Sequence, residues 1–129
     1  MITFNKPSLD DITAMQNLVK DYVQEGIILA RDDNEVANTI RSYIIAKEGS
    51  TIVGFAALYL YSASLAEIRT LVVNKHHQGK GIGKEIVNTL VLEAEKLGVN
   101  KVLALTFKEE FFKYLGFTVI SKEAIQIGR

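Results

Sequence analysis

Cysteine is absent from the 129-residue chain. A disulfide framework, a thiolate zinc site and a cysteine nucleophile are therefore excluded. Proline occurs once, at position 7, and no Ser- or Gly-rich linker, like-charge block or internal repeat breaks the chain. The expectation is one continuous domain over residues 1–129. Net charge is lacking too, because fifteen Lys and Arg balance fifteen Asp and Glu. A protein whose main partner is a nucleic-acid backbone or an anionic membrane needs a basic face, so both partners are expected to be absent. No apolar run is long. The stretch from Ile52 to Tyr61 is half of the roughly 20 residues a membrane helix needs. The first six residues lack the charged-then-apolar pattern of a signal peptide, and the expected location is the cytoplasm.

What remains is a hydrophobic fraction of 48% against 23% charged residues, a balance that folds into a globular core. Residues 2–6 suit a short strand. Ser8 followed by Asp11 reads as a helix start, and Ile12, Met15, Leu18, Val19, Tyr22 and Val23 recur at helical spacing up to about Gln24. Gly26 ends that helix. Asp32 or Asp33 begins a second one, with Val36, Ala37, Ile40 and Ile44 on one face. Tyr43–Lys47 and Thr51–Tyr61 form a hairpin around a Glu48-Gly49-Ser50 turn, and Leu65–Val73 is a further strand. A polar, glycine-rich loop over 74–83 precedes the helical stripe Ile86, Val87, Leu90, Val91, Ala94 and Leu97, closed by Gly98. Lys101–Thr106 reads as a strand, Glu109–Leu115 as a short helix ended by Gly116, and Phe117–Ser121 as a last strand. The order implies an α/β fold, a mixed sheet with helices on both faces.

The loop carries the chemistry. Glycines at a helix N-terminus leave backbone amides unpaired, and the positive end of the helix dipole points at the same place. Side chains at Gly79, Gly81 and Gly83 would keep a phosphate from those amides, while Lys80 and Lys84 add positive charge. The reading is an anion cradle suited to a pyrophosphate. A phosphate-binding P-loop fails on spacing, since Gln78 stands where its first glycine belongs and Glu85 follows Lys84. A dinucleotide-binding loop also fails, because Lys84 stands where the third glycine is required.

The spacing that fits is Gln78-x-x-Gly81-x-Gly83. It resembles the acetyl-CoA pyrophosphate motif of the GCN5-related N-acetyltransferase (GNAT) family. The strand from Glu67 to Val73 ahead of the loop and the segment Phe111–Phe117, similar to the family's Phe-Tyr-x-x-x-Gly-Phe element, extend the resemblance over nearly the whole chain. It implies a single-domain, GNAT-like, mostly antiparallel sheet flanked by helices on both faces. It also implies acetyl-CoA as cosubstrate without a metal. Residues 25–31, with 56–58 and 66–69, resemble the acetyltransferase domain of bacterial N-acetylglutamate synthases, which implies a small amine acceptor such as glutamate.

Roles follow from that resemblance. Backbone groups of Leu71, Val72 and Val73 would hold the pantetheine arm and the thioester oxygen. Gln78, Gly79, Lys80, Gly81, Ile82, Gly83 and Lys84 would surround the pyrophosphate. Glu67 is the candidate general base, and the alternative is a structural ion pair with Arg69, two residues along the same strand face. Arg31 matches an arginine suited to an acceptor carboxylate, against pairing with Asp32 or Asp33. Arg69 is a second acceptor candidate. Thr106 is placed near the pantetheine arm, or is a satisfied strand-end hydroxyl. Phe112 occupies the cofactor-side position where the family's tyrosine donates a proton to the departing thiolate, and it has none to give. That departure keeps a non-catalytic acetyl-CoA-binding module open beside the enzyme, together with acetylation of another amine or a protein N-terminus. The histidines His76 and His77 line the phosphate entry or face solvent. Tyr59 and Tyr61 are read as core or cleft wall. After the Gly116-Phe117 element and its strand only Lys122–Arg129 remains, so either the chain is shortened or a neighbouring molecule completes the sheet edge as a homodimer.

Overall fold

The computed structural model describes residues 1–105 and 108–120. Five strands lie in the order in which they occur along the chain. They are β1 (Ile2–Asn5), β2 (Tyr43–Glu48), β3 (Thr51–Leu60), β4 (Leu65–Val73) and β5 (Lys101–Ala104). The first four run antiparallel, and β5 joins β4 in parallel. A parallel neighbour requires a long crossover, which α3 (Ile82–Leu97) supplies. The other helices are α1 (Ile12–Gln24), α2 (Asp33–Asn38) and α4 (Glu109–Tyr114).

Strand alternation builds two cores, one on each side of the sheet. Ile44 and Ala46 face α3, whose Ile86, Val87, Leu90 and Ala94 are fully buried there. Tyr43, Ile45, Phe55 and Val72 face the other way, onto Met15 and Val19 of α1 and Val36 of α2. Each fully buried Leu or Ile contributes about 1.5–3 kcal/mol, so α3 is fixed mainly by its own apolar stripe. It lies close to the strands. A Cβ on Gly54 would sit 3.0 Å from the Val72 carbonyl and 3.3 Å from Ile86 Cδ1.

Most predicted elements form, and the differences have local causes. The first helix is preceded by one 3-10 turn, Leu9–Asp11, in which the Ser8 amide donates to Asp11 Oδ2 at 2.8 Å. At α2 the amide of Glu35 donates to Asp32 Oδ1, and the Asp32 amide donates to Glu35 Oε1. That helix stops at Asn38, before Ile40 and Ile44. Thr39 donates its hydroxyl back to the Glu35 carbonyl, and Ile44 pairs with Ala56 in the sheet instead. The last strand expected over Phe117–Ser121 does not form within its described part, residues 117–120. The Phe117 amide closes the end of α4 on the Phe112 carbonyl, and its ring packs edge-on against Phe112. Ser121 lies outside the described residues. Among the described residues, no helix is long and apolar enough to cross a membrane.

Candidate active site

Strand β4 changes character along its length. Its parallel pairing with β5 covers Leu65 to Ile68, opposite Lys101 to Ala104. On the other side the β3 register slips between Phe55–Val72 and Ala57–Arg69, so β4 carries one residue more than its partner. A bulge of this kind bends a strand and re-aims the residues beyond it. Thr70 stands at the slip with φ 58°, a left-handed conformation that a β-branched residue rarely adopts. Beyond it, Leu71 to Val73 pair with β3 only among the described residues. Among the described residues no strand pairs with their backbone on the β5 side, and the Val73 carbonyl is taken by the Tyr22 hydroxyl and Gln78 Nε2.

The glycine-rich loop comes directly after this strand. Gly81 has φ 81° and caps the N-terminus of α3. An L side chain there would be strained, although an added Cβ would meet nothing within 4 Å. Among the described residues, the His77 amide donates to the Asn74 carbonyl at 2.9 Å, and the next amide with a backbone partner is Glu85 N, which donates to the Gly81 carbonyl at 3.1 Å. The amides from Gln78 to Lys84 have no backbone partner among the described residues, and the helix dipole there favours negative charge. Ile82 buries its side chain in the α3 core, so it offers the loop only its backbone. Gly83 packs closely, with room for no more than ordinary contact at a Cβ. A Cβ would lie 3.4 Å from the Phe111 ring and 3.7 Å from Val73. The Lys80 side chain is exposed, and Lys84 Nζ lies 6.0 Å from the centroid of the Tyr114 ring.

Glu67 lies on the α1–α2 face of β4 and is the one buried charged residue among those described, at 3% exposure. Its Oε1 accepts the Tyr61 hydroxyl at 2.6 Å and Arg69 Nε at 2.7 Å. Arg69 Nη2 also donates to the Tyr61 oxygen at 2.8 Å, and its guanidinium lies 3.7 Å above the Tyr59 ring. Burial works against the Arg69 charge. The bonds to Glu67 and then Tyr61 outweigh it and lift the pKa above the ordinary arginine value. The ion pair and a base are compatible, since both recorded bonds fall on Oε1 and leave Oε2 for other use.

Arg31 lines a small cavity with Met15, Gln16, Ile28, Phe55 and Thr70. Its carbonyl accepts Gln16 Nε2 at 2.7 Å. The same Gln16 amide reaches Asp33 Oδ1 at 3.2 Å. Arg31 Nε is buried and has no hydrogen-bond partner, an orphaned donor whose burial costs free energy until something fills it. Neither Asp32 nor Asp33 pairs with it among the described residues.

Phe112 is 6% exposed and packs edge-on between Phe111 and Phe117. Its side chain belongs to the core beneath the loop. Tyr114, two residues on, is 79% exposed. Thr106 lies outside the described residues. His77 is a tether, with Nε2 3.0 Å from Glu48 Oε1 and Nδ1 3.4 Å from Asn74 Oδ1. Hydrogen bonding from His77, then its charge, lowers the Glu48 pKa. His76 contributes only its amide, which donates to Asn74 Oδ1.

Two tyrosines carry roles that sequence reading missed. Tyr61 was legible in principle, because a short turn over 62–64 puts it on the same face as Glu67. Tyr22 was not. It reads as part of the apolar stripe of α1, and its hydroxyl meets the end of β4 across 51 residues of sequence and Gln78 of the loop across 56.

Comparison with known proteins agrees with this geometry. Residues 9–117 match the family model described as Acetyltransferase (GNAT) family. An uncharacterized N-acetyltransferase of Chlorobaculum tepidum is 35% identical over 89% of this chain and 74% of its own. An amino-acid acetyltransferase of Mycobacterium tuberculosis is 34% identical over 85% of this chain, which spans 64% of that relative. Longer amino-acid acetyltransferases also match, and the chain spans only 28% of the one from Aeromonas salmonicida. Among solved structures, N-acetylglutamate synthase from Neisseria gonorrhoeae, complexed with coenzyme A and N-acetyl-glutamate, superposes with a TM-score of 0.90. It is 25% identical, and the match covers 95% of this chain and 30% of that one. With the pyrophosphate-type loop, the strand edge that no described strand pairs with and the family match all falling on the same stretch, the chain belongs to the GNAT acetyltransferase family.

Proposed function

We infer that the protein transfers an acetyl group from acetyl-CoA to the α-amine of an amino acid, with glutamate the leading acceptor. The observation that carries this reading is the row of amides from Gln78 to Lys84 without a partner among the described residues, beside the backbone of Leu71 to Val73, which no described strand pairs with on the β5 side. Those residues fit the cosubstrate. The amides meet its diphosphate, Lys80 and Lys84 add charge, and the strand edge can hydrogen-bond its amide-bearing arm. Acetyl-CoA supplies the reactive thioester.

The chain's own groups do the rest. A backbone amide of Leu71–Val73 facing the thioester oxygen stabilises the charge that develops there, by about 3 kcal/mol. The acceptor arrives mostly as ammonium, and Glu67 Oε2 takes its proton directly or through one water. Arg31 grips the acceptor carboxylate, which would satisfy its orphaned Nε. Arg69 is engaged by Glu67 and Tyr61, so it serves the acceptor by holding the base in place. A thiol has an ordinary pKa of about 8.5, so the thiolate can leave and take its proton from water without a donor at Phe112. The family relatives support the acceptor class. The Mycobacterium tuberculosis and Aeromonas salmonicida proteins are named amino-acid acetyltransferases, and the Neisseria gonorrhoeae synthase was solved with N-acetyl-glutamate.

Thiol release from acetyl-CoA across a panel of free amino acids tests the reading. Saturable release with glutamate or a near relative, matched by an N-acetylated product, is the expected result. The buried phenyl ring at position 112 favours one other reading, a module that binds acetyl-CoA without turning it over. Tight binding with no release for any amine would establish that instead. A homodimer belongs to the same proposal, because among the described residues β5 ends the strand order and an edge strand invites pairing. Light scattering checks it.

A further inference from the structure

We propose that Tyr22 is a positioning residue that ties the coenzyme loop and the acceptor loop to one anchor, so that filling one site tightens the other. The proposal rests on the acetyl-transfer reading above.

Its hydroxyl faces the coenzyme side. Tyr22 O–H donates to the Val73 carbonyl at 3.2 Å. Gln78 Nε2 donates to the Tyr22 oxygen and to the same Val73 carbonyl, each at 3.3 Å. The three groups close a ring that joins the last residue of β4 and the first residue of the Gln78–Gly83 motif to α1. In this arrangement the Gln78 side chain holds the loop in place and leaves the anion to the backbone amides.

Its carbonyl faces the acceptor side. The Tyr22 carbonyl accepts the amides of Ile27 at 3.0 Å and Ile28 at 3.3 Å. These residues open the stretch that continues through Leu29 to Arg31, and Ile28, Leu29 and Arg31 all line the small cavity with Thr70. Gln16 fixes the far end of that stretch at the Arg31 carbonyl. The acceptor loop is therefore pinned at both ends to α1, and α1 is pinned to the coenzyme loop through the Tyr22 hydroxyl. Moving the coenzyme loop by a hydrogen-bond length pulls on the same residue that sets where Arg31 begins. Coupling of this kind is reciprocal between the two ligands.

The test measures coenzyme A affinity by calorimetry without and with saturating L-glutamate. The coupling ratio is compared between wild type, Tyr22→Phe and Gln78→Leu. Phenylalanine keeps the ring that packs against the α1 core and removes only the hydroxyl, while Gln78→Leu breaks the same hydrogen-bonded ring without touching α1. In the wild type the ratio is expected to be about fivefold or more, and in both variants close to one. A merely structural Tyr22 would lower the melting temperature and weaken both ligands but leave the ratio alone, and that result overturns the proposal. So does a ratio of one in the wild type. A wild type that binds no coenzyme A sinks the acetyl-transfer reading itself. Normal transfer with an unchanged ratio in both variants rejects only the role of Tyr22.

Discussion

The two halves of β4 offer opposite kinds of chemistry. From Leu65 to Ile68 the strand is paired on both sides, to β3 and to β5. Its backbone groups are committed, and what it has left to offer is a side chain, the buried Glu67. From Leu71 to Val73 the side chains pack into the two cores, and what is left is the backbone edge. Thr70 marks the changeover. One strand can thus present an acid–base group and a row of peptide dipoles a few residues apart, at the cost of one strained residue. The lesson is about substitution. Under the proposed function, residue identity decides the role of the first half, while backbone shape decides that of the second half and its loop.

The sharpest way to break that contrast is Glu67→Gln. The amide keeps the shape and can still accept from Tyr61 and Arg69, but it cannot take a proton. General-base catalysis contributes about 10²–10⁴-fold, so kcat should fall by that order, with KM for acetyl-CoA within about twofold of wild type. The limb of the pH–rate profile that reports the base should vanish. A loss below about threefold would make the first half of β4 as dependent on backbone alone as the second.

Arg31→Ala is expected to act next most strongly, and on one substrate only. A hydrogen bond to a charged group contributes about 1.5–3 kcal/mol, so KM for glutamate should rise about 10- to 100-fold while KM for acetyl-CoA stays. Equal rises for both substrates would remove Arg31 from the acceptor site. Gly81→Val tests the backbone half. Position 81 has φ 81° with open space around a Cβ, so the change adds conformational strain without a clash. At about 1–2 kcal/mol for a left-handed residue, KM for acetyl-CoA should rise roughly tenfold, and kcat at saturation should hold. A kcat loss with an unchanged KM would mean that loop shape governs the chemical step and not binding.

The same contrast explains what could be read from the sequence. Glycine spacing is a statement about backbone, and Gln78-x-x-Gly81-x-Gly83 predicted both the loop and the helix it opens. The hairpin turn predicted β2 and β3 to within a residue, and the helical stripes predicted the ends of α1 and α3 but not their starts, because burial periodicity is local. Side-chain partnerships were harder. The Glu67–Arg69 pair was legible at a spacing of two, whereas Tyr22 with Gln78 and His77 with Glu48 join segments far apart in the chain. No local pattern encodes them. The expected strand after Gly116 failed for a local reason. Phe117 looks like a strand residue in isolation, yet it closes the end of α4, with its amide on the Phe112 carbonyl and its ring against Phe112.

The smallest expected effect lies away from both halves and serves to calibrate them. Asp11 accepts the Ser8 amide at Oδ2, and its Oδ1 lies 3.3 Å from Lys47 Nζ. It thus fastens the start of α1 to β2. The Ser8 amide bond is the main cause of its lowered pKa. Partial burial opposes that shift, and Lys47 adds to it. A carboxylate whose folded pKa lies below its ordinary 3.8 stabilises the fold fully above that ordinary value. Its contribution fades as pH falls through the lowered folded value. Asp11→Asn should therefore cost about 1 kcal/mol at pH 7, or roughly 3–5 °C in melting temperature. The gap from wild type should persist in melts taken at pH 5 and narrow near pH 2. Both KM values and kcat should be unchanged at 25 °C. If instead KM for acetyl-CoA rose as it is expected to for Gly81→Val, loss of general stability would account for that effect too, and the loop's claim to a special backbone role would fall.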